Sequence, residues 1–301
     1  MTQHLLNIAD FDAGEVRAML ALGAADPASL GAPLSGRGAA LIFEKPSNRT
    51  RQSMEMAVFQ LGGHPVYTRG EEIGIDVREP ASDVVKILQG YHSVIAARVF
   101  DHGLLERMVA VAEVPIVNML SDQSHPLQAL ADVLTMESAF GPLAGRRVAW
   151  VGDFNNVARS LGEICSLLGA HIAFACPPGF AADESELERF TLLGAASVEQ
   201  HGRPVDAVRG ADAVHADTWV SMGQESEKGD RVKAFEGFTV DDAMMGAAAP
   251  DAVFMHCMPA YRGLEVTADV IDGPRSRVFE QGHARLPAAR GALAFLLGVR
   301  P

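Results

Sequence analysis

Gly141-Pro142-Leu143-Ala144-Gly145 runs into Arg146-Arg147-Val148-Ala149-Trp150-Val151-Gly152-Asp153, and this junction decides the architecture. The glycines and proline end the helical pattern of His125 to Phe140. The apolar run from Val148 then opens a new strand that closes on a glycine turn. Working outward, short apolar runs alternate with helical spacing on both sides, the signature of parallel sheets covered by helices. The strands expected are Ala39 to Phe43, Val94 to Arg98, Val114 to Asn118, Arg147 to Gly152, His171 to Ala175, Ala213 to Ala216 and Ala252 to His256. Ser53 to Leu61 and Val157 to Leu168 carry helical spacing between them. The expectation is two α/β halves joined by one helix: residues 1–135 with a returning C-terminal helix at 284–301, and residues 136–283. A last apolar helix, Ala288 to Leu297, would pack back on the first half, and a site is sought between the halves.

Composition narrows the class. The chain has 301 residues, 48% hydrophobic and 21% charged, enough for one large or two ordinary domains and unlike a disordered chain or coiled coil. Twenty-five Lys and Arg against thirty-eight Asp and Glu leave a formal net charge of −13, which disfavours nucleic acid and anionic membranes as partners. An anionic ligand would need a concentrated local basic site. Cys165, Cys176 and Cys257 cannot all pair and form no CxxC, which fits a reducing compartment and makes the cytoplasm the expected location. Met1-Thr2-Gln3-His4 begins no signal-peptide pattern. Ile164 to Ala182 lacks Asp, Glu, Lys and Arg, but Gly169, Pro177, Pro178 and Gly179 interrupt it, so no membrane span is expected.

Five segments that follow strands carry candidate chemistry. Ser47-Asn48-Arg49-Thr50-Arg51 starts a helix after Pro46, where free N–H groups and the positive dipole end stabilise an anion and Arg49 adds a bidentate fork. Arg49 and Arg51 point from different helix faces, so one of them would touch a ligand. By itself the segment reads equally as a capped helix with two solvated arginines. Ser124-His125-Pro126-Leu127-Gln128 places His125 and Gln128 on one face of a helix start, although a buried histidine beside a cap also accounts for it. Gly152-Asp153-Phe154-Asn155-Asn156 resembles a dinucleotide fingerprint superficially. Phe154 and Val157 occupy its second and third glycine positions, which argues against nicotinamide or flavin binding and leaves Asn155 and Asn156 as polar groups at a strand end. Asp217-Thr218-Trp219-Val220-Ser221-Met222-Gly223 reads as a lid or as a surface connection. In Phe254-Met255-His256-Cys257-Met258-Pro259, adjacent His256 and Cys257 should face opposite ways, which disfavours a shared metal. Cys257 is then a buried apolar residue or a functional thiol.

Taken together and in order, these segments resemble the aspartate/ornithine carbamoyltransferase family over essentially the whole chain. Ser47-Asn48-Arg49-Thr50-Arg51 is similar to its Ser-Thr-Arg-Thr-Arg carbamoyl-phosphate motif, with Asn48 in place of Thr. His125-Pro126-Leu127-Gln128 matches its second motif. Asp217 with Ser221-Met222-Gly223 and His256-Cys257-Met258-Pro259, where Met258 stands for Leu, follow the ornithine-type pattern. The resemblance implies an α/β fold of two doubly wound parallel-sheet domains. It also implies transfer of the carbamoyl group of carbamoyl phosphate to the side-chain amine of L-ornithine, giving L-citrulline, with no metal or organic cofactor, in a homotrimer.

By the same resemblance, Ser47, Asn48, Arg49, Thr50, Arg98, His125, Gln128, Cys257, Met258 and Arg285 hold carbamoyl phosphate. Asn156, Asp217, Ser221 and Met222 hold ornithine, and Arg98, His125, Cys257 and Asp217 act on the reacting groups. Closely related alternatives are carbamoyl transfer to putrescine or an N-acylated ornithine. A non-catalytic relative should have lost Arg49, His125 or Cys257, and all three are present.

Overall fold

The computed structural model describes residues 2–220 and 225–301. Two compact units divide them, Met1–Ala131 with His283–Pro301, and Asp132–Gly282. In the first, β1 (Gly38–Phe43), β2 (His64–Arg69), β3 (His92–Arg98) and β4 (Ile116–Leu120) form a sheet of order β2-β1-β3-β4. In the second, β5 (Arg147–Val151), β6 (His171–Ala175), β7 (Ser197–His201), β8 (Ala213–Ala216) and β9 (Val253–His256) form a sheet of order β7-β6-β5-β8-β9. All these pairings are parallel.

Both sheets wind in two directions. In the first unit the chain moves from β1 out to β2, returns to β3 on the other flank of β1, and continues to β4. In the second it moves from β5 through β6 to β7, then returns to β8 beside β5 and ends at β9. Each unit is therefore doubly wound and has a point where the winding reverses, between β1 and β3 and between β5 and β8. In doubly wound sheets ligands bind outside the carboxyl ends of the strands at such a reversal point. The registers keep the ends level: Phe43 lies opposite Arg98, and Val151 opposite Ala216, which in turn lies opposite His256.

Three features depart from the expectation. The edge strands β2 and β7 were not foreseen, because His64-Pro65-Val66-Tyr67-Thr68-Arg69 and Ser197-Val198-Glu199-Gln200-His201 are polar and incompletely buried, whereas central strands such as β1 are apolar and almost entirely buried. The strand expected at Val114 to Asn118 lies at Ile116–Leu120. The last helix runs from Val278 to Leu296 with Pro287 inside it, starting ahead of the expected 284–301 and Ala288 to Leu297. The proline removes one N–H within the helix. Cys165 and Cys176 are buried free thiols; burial pushes Cys165 well above the usual thiol range and Cys176 up to about 12. Among the described residues no helix is long and apolar enough to cross a membrane.

Packing of the last helix in the first unit depends on Gly291. A Cβ there would overlap the Met19 carbonyl oxygen and come within 2.6 Å of the Gly23 nitrogen, both on the helix Ala13–Ala24. Backbone cannot move aside as a side chain can, so Gly291→Ala should cost ~2 kcal/mol of stability. Urea denaturation checks this, and an unshifted midpoint would refute the close approach.

Candidate active site

The first reversal point collects the basic groups. Ser47 caps the helix Asn48–Gln60, its hydroxyl accepting from the Thr50 N–H at 3.4 Å and donating to Thr50 Oγ1 at 3.1 Å. Thr50 is buried, and its hydroxyl also receives Arg98 Nη1 at 3.4 Å and Arg285 Nη2 at 3.1 Å. Arg98 closes β3 directly opposite Phe43, so the sheet register itself delivers one guanidinium to the helix start. Arg285 comes from the last helix and donates to Gln128 Oε1 at 2.6 Å. Asn48 and Arg49 are exposed in the first turn of the capped helix. Arg51 is committed elsewhere, pairing with Glu55 at 2.8 Å and lying 3.8 Å over the Tyr67 ring.

His125 is buried between these two guanidiniums, with Nε2 3.5 Å from Arg285 Nη1. Arginine only donates, so this contact leaves the ring proton on Nδ1. Burial, then Arg285 and Arg98, hold the imidazole well below its ordinary pKa, and the ring is neutral at physiological pH. The turn before it is fixed by Asn118, whose buried amide donates to the Leu6 carbonyl at 3.0 Å and the Ser124 carbonyl at 3.4 Å. Ser121 Oγ accepts from the Ser124 N–H at 3.2 Å and lies 2.7 Å from His102 Nδ1. Asn118 and His102 are not among the residues singled out from the sequence, where Asn118 stands only as the last residue of an expected strand.

The second reversal point collects a carboxylate, an amide and a thiol. Asp217 follows β8 and is buried. Its Oδ2 accepts from Asn155 Nδ2 at 2.9 Å, and its Oδ1 accepts from the Cys257 thiol at 3.1 Å. Asn155 also caps the helix Asn156–Leu167, its Oδ1 accepting from Val157 and Ala158. Of the two asparagines, Asn155 donates to Asp217 through a described hydrogen bond, while Asn156 occupies the first helical position. Arg231 is buried: it donates to the Asp153 carboxylate and the Trp219 carbonyl and lies over the Phe180 and Phe235 rings. Burial raises Asp153 despite that arginine. Ser221 and Met222 lie outside the described residues.

The expected divergence of His256 and Cys257 is corrected. β9 ends at His256 and Met258 takes a left-handed backbone, φ +60°, so strand alternation stops there. Ligand atoms of Asp217, His256 and Cys257 all come within 4.8 Å of one another. Both ring nitrogens of His256 have protein partners, the Met258 N–H at Nδ1 and Glu265 Oε1 near Nε2, and the thiol donates to Asp217.

Two family models match the chain. The carbamoyl-P binding domain of aspartate/ornithine carbamoyltransferase matches residues 3–138, and its Asp/Orn binding domain matches residues 144–296. The chain belongs to the aspartate/ornithine carbamoyltransferase family. It is 47% identical over 267 residues to an ornithine carbamoyltransferase of Thermus thermophilus, covering 89% of this chain and 87% of the relative. To that of Hyperthermus butylicus it is 46% identical over 268 residues, covering 88% and 85%. The solved ornithine carbamoyltransferase of Pyrococcus furiosus superposes with a TM-score of 0.93 at 40% identity, over 99% of this chain and 97% of that one.

The depressed His125 has a consequence for this carbamoyltransferase fold. Below pH 6.5 the unfolded chain protonates this histidine while the buried ring does not, so the unfolded state binds the extra proton. Stability from this site is complete above pH 6.5 and falls by up to about 1.4 kcal/mol per pH unit below it. His125→Asn should flatten that slope between pH 6.5 and 5 in urea titrations, whatever it does to stability at pH 7.5. Parallel pH profiles for variant and parent would contradict a neutral buried His125.

Proposed function

We propose that the protein is an enzyme that transfers the carbamoyl group of carbamoyl phosphate to the side-chain amine of L-ornithine, giving L-citrulline and phosphate in arginine metabolism. The observation that carries this reading is the convergence of Ser47, Arg98 and Arg285 on the Thr50 hydroxyl, beside a neutral His125, at the reversal point of the first sheet.

A phosphate bearing about −1.5 to −2 charges calls for such a concentration in a chain of net charge −13. Ser47, Asn48, Arg49 and Thr50 bind it at the helix N-terminus, with Arg98 adding charge. Arg98, His125 and Thr50 surround the carbamoyl oxygen, where negative charge develops as the tetrahedral intermediate forms. One preorganised donor of this kind contributes about a hundred- to a thousandfold in rate. A neutral His125 serves as donor through one ring N–H without adding a third positive charge. Gln128, Arg285 and the Met258 carbonyl hold the carbamoyl group.

The amine must lose a proton. With a lysine-like pKa of about 10.4, about one ornithine side chain in 2,500 is neutral at pH 7. Asp217 and Cys257 orient it or take up its proton, and the departing phosphate is a further acceptor. Asn156, Asp217, Ser221 and Met222 hold the amino-acid end. An N-acylated ornithine has no cationic α-amine to meet Asp217 and would leave that buried carboxylate without a positive partner. The working unit is a homotrimer in the cytoplasm, and positioning and charge stabilisation suffice for the reaction without metal or organic cofactor.

The deciding assay offers carbamoyl phosphate with ornithine, N-acetylornithine, putrescine or aspartate and measures product. Citrulline from ornithine is expected, and robust turnover of another amine without citrulline would overturn the assignment. In calorimetry, Arg49→Ala should weaken carbamoyl phosphate by about 1.5–3 kcal/mol, the worth of a charge-assisted contact. An unchanged affinity would remove Arg49 from the phosphate site.

A further inference from the structure

The loop that carries Cys257 and Met258 is held from beneath by two residues outside the family motifs' expected ligand set. His256 and Glu265 are both fully buried, at 0% exposure. The His256 N–H donates to Gln281 Oε1 at 2.8 Å, anchoring the end of β9. Its ring Nδ1 accepts from the Met258 N–H at 2.9 Å, so Nδ1 bears no proton and the ring's single proton lies on Nε2. Nε2 faces Glu265 Oε1 at 3.3 Å, and the same oxygen accepts the Tyr261 N–H at 2.6 Å. One carboxylate oxygen thereby holds both ends of the 257–260 turn, one through the imidazole and the other directly. Glu265 is tied in place by its own carbonyl, which accepts the Val240 N–H at 2.9 Å.

The turn needs such a brace. Met258 has φ +60°, a conformation that costs a residue with a side chain energy unless its surroundings impose it. In that conformation the Met258 N–H is satisfied by the His256 ring, two residues back along the chain. Directly before it, the Cys257 thiol reaches Asp217 Oδ1 at 3.1 Å, a contact set by where the turn leaves the sheet.

We propose that His256, oriented by Glu265, is a positioning residue that fixes the Met258 backbone and thereby places the Cys257 thiol on Asp217 for carbamoyl transfer. It touches no substrate itself. The catalytic part of this inference rests on the carbamoyl-transfer reading above, but the placement of the thiol does not.

Two near-isosteric variants separate the ring's edges. His256→Asn sets an amide oxygen where Nδ1 lies and can still accept the Met258 N–H, whereas His256→Gln reaches toward Glu265 and leaves that N–H without its acceptor. Two readouts are taken: kcat and KM for both substrates, and the rate at which iodoacetamide alkylates Cys257, followed by peptide mass spectrometry. H256Q should lower kcat at least tenfold with the carbamoyl-phosphate KM within threefold, and should change Cys257 alkylation severalfold. H256N should keep at least a third of the parent kcat and the parent alkylation rate. Equal impairment of both variants, or no effect of H256Q on either readout, would overturn the proposal. If the variants do not fold, Glu265→Gln, which keeps the shared oxygen, against Glu265→Ala decides by the same readouts and the same criteria. A parent protein that makes no citrulline, with alkylation still differing between the variants, would sink the carbamoyl-transfer reading and leave the positioning role standing.

Discussion

Two buried guanidinium groups meeting on one threonine hydroxyl set the terms for the first unit. Arg98 and Arg285 approach Thr50 from a strand end and from the last helix, and bringing like charges together away from water is unfavourable unless the scaffold enforces it. The scaffold does so with sheet register, which puts Arg98 at the carboxyl end of β3 opposite Phe43, and with Gly291, which lets the last helix lie directly on the backbone of Ala13–Ala24. The field of the two arginines then determines the state of His125. Burial and two positive neighbours keep it neutral, so the constellation can offer a neutral donor beside fixed positive charge. Lysine would answer the same pressure by losing its proton, whereas arginine retains its charge when buried.

What was legible in the sequence was what local chemistry decides. Cap residues and strand-to-helix punctuation mark Ser47 and His125 directly, because an N-cap is satisfied within three or four residues. Apolar runs mark central strands for the same reason: burial on both faces leaves no room for polar side chains. The edge strands β2 and β7 escaped because an edge needs little burial, and a half-exposed strand such as Ser197–His201 carries no apolar signature. The first turns of the last helix escaped because Glu280-Gln281-Gly282-His283 carries no apolar periodicity. In each case the missing information is tertiary: neighbouring strands and the packed helix supply what local preference withholds.

The candidate site divides along the same line. Asp217 and Cys257 could be singled out from their residue types and their places after strands. That their side chains bond to each other follows only from β8 and β9 being neighbours with Ala216 level with His256. Asn155 and Asn156 were equivalent as text, and the helix geometry distinguishes them: the cap side chain turns back across the reversal point to Asp217, while the next residue starts the helix. The expected opposition of His256 and Cys257 failed because alternation holds only while the strand lasts. A single left-handed residue at Met258 is enough to end it.

Below the site, a chain of hydrogen bonds fixes side-chain orientation. The His256 N–H requires the oxygen of Gln281, so the Gln281 amide nitrogen must point the other way, toward Asp132 Oδ1 at 2.6 Å and His215 Nε2 at 3.0 Å. An amide nitrogen only donates, hence His215 Nε2 accepts and its proton resides on Nδ1, where the Ala216 carbonyl lies 3.1 Å away. His215 Nε2 also lies 3.5 Å from Asp132 Oδ2, and the Trp150 indole stacks on this imidazole at 5.1 Å. One backbone N–H at the end of β9 thus dictates an amide orientation and a tautomer in succession. Every member of that chain is buried, so a change at any one leaves a donor or acceptor unsatisfied at the next.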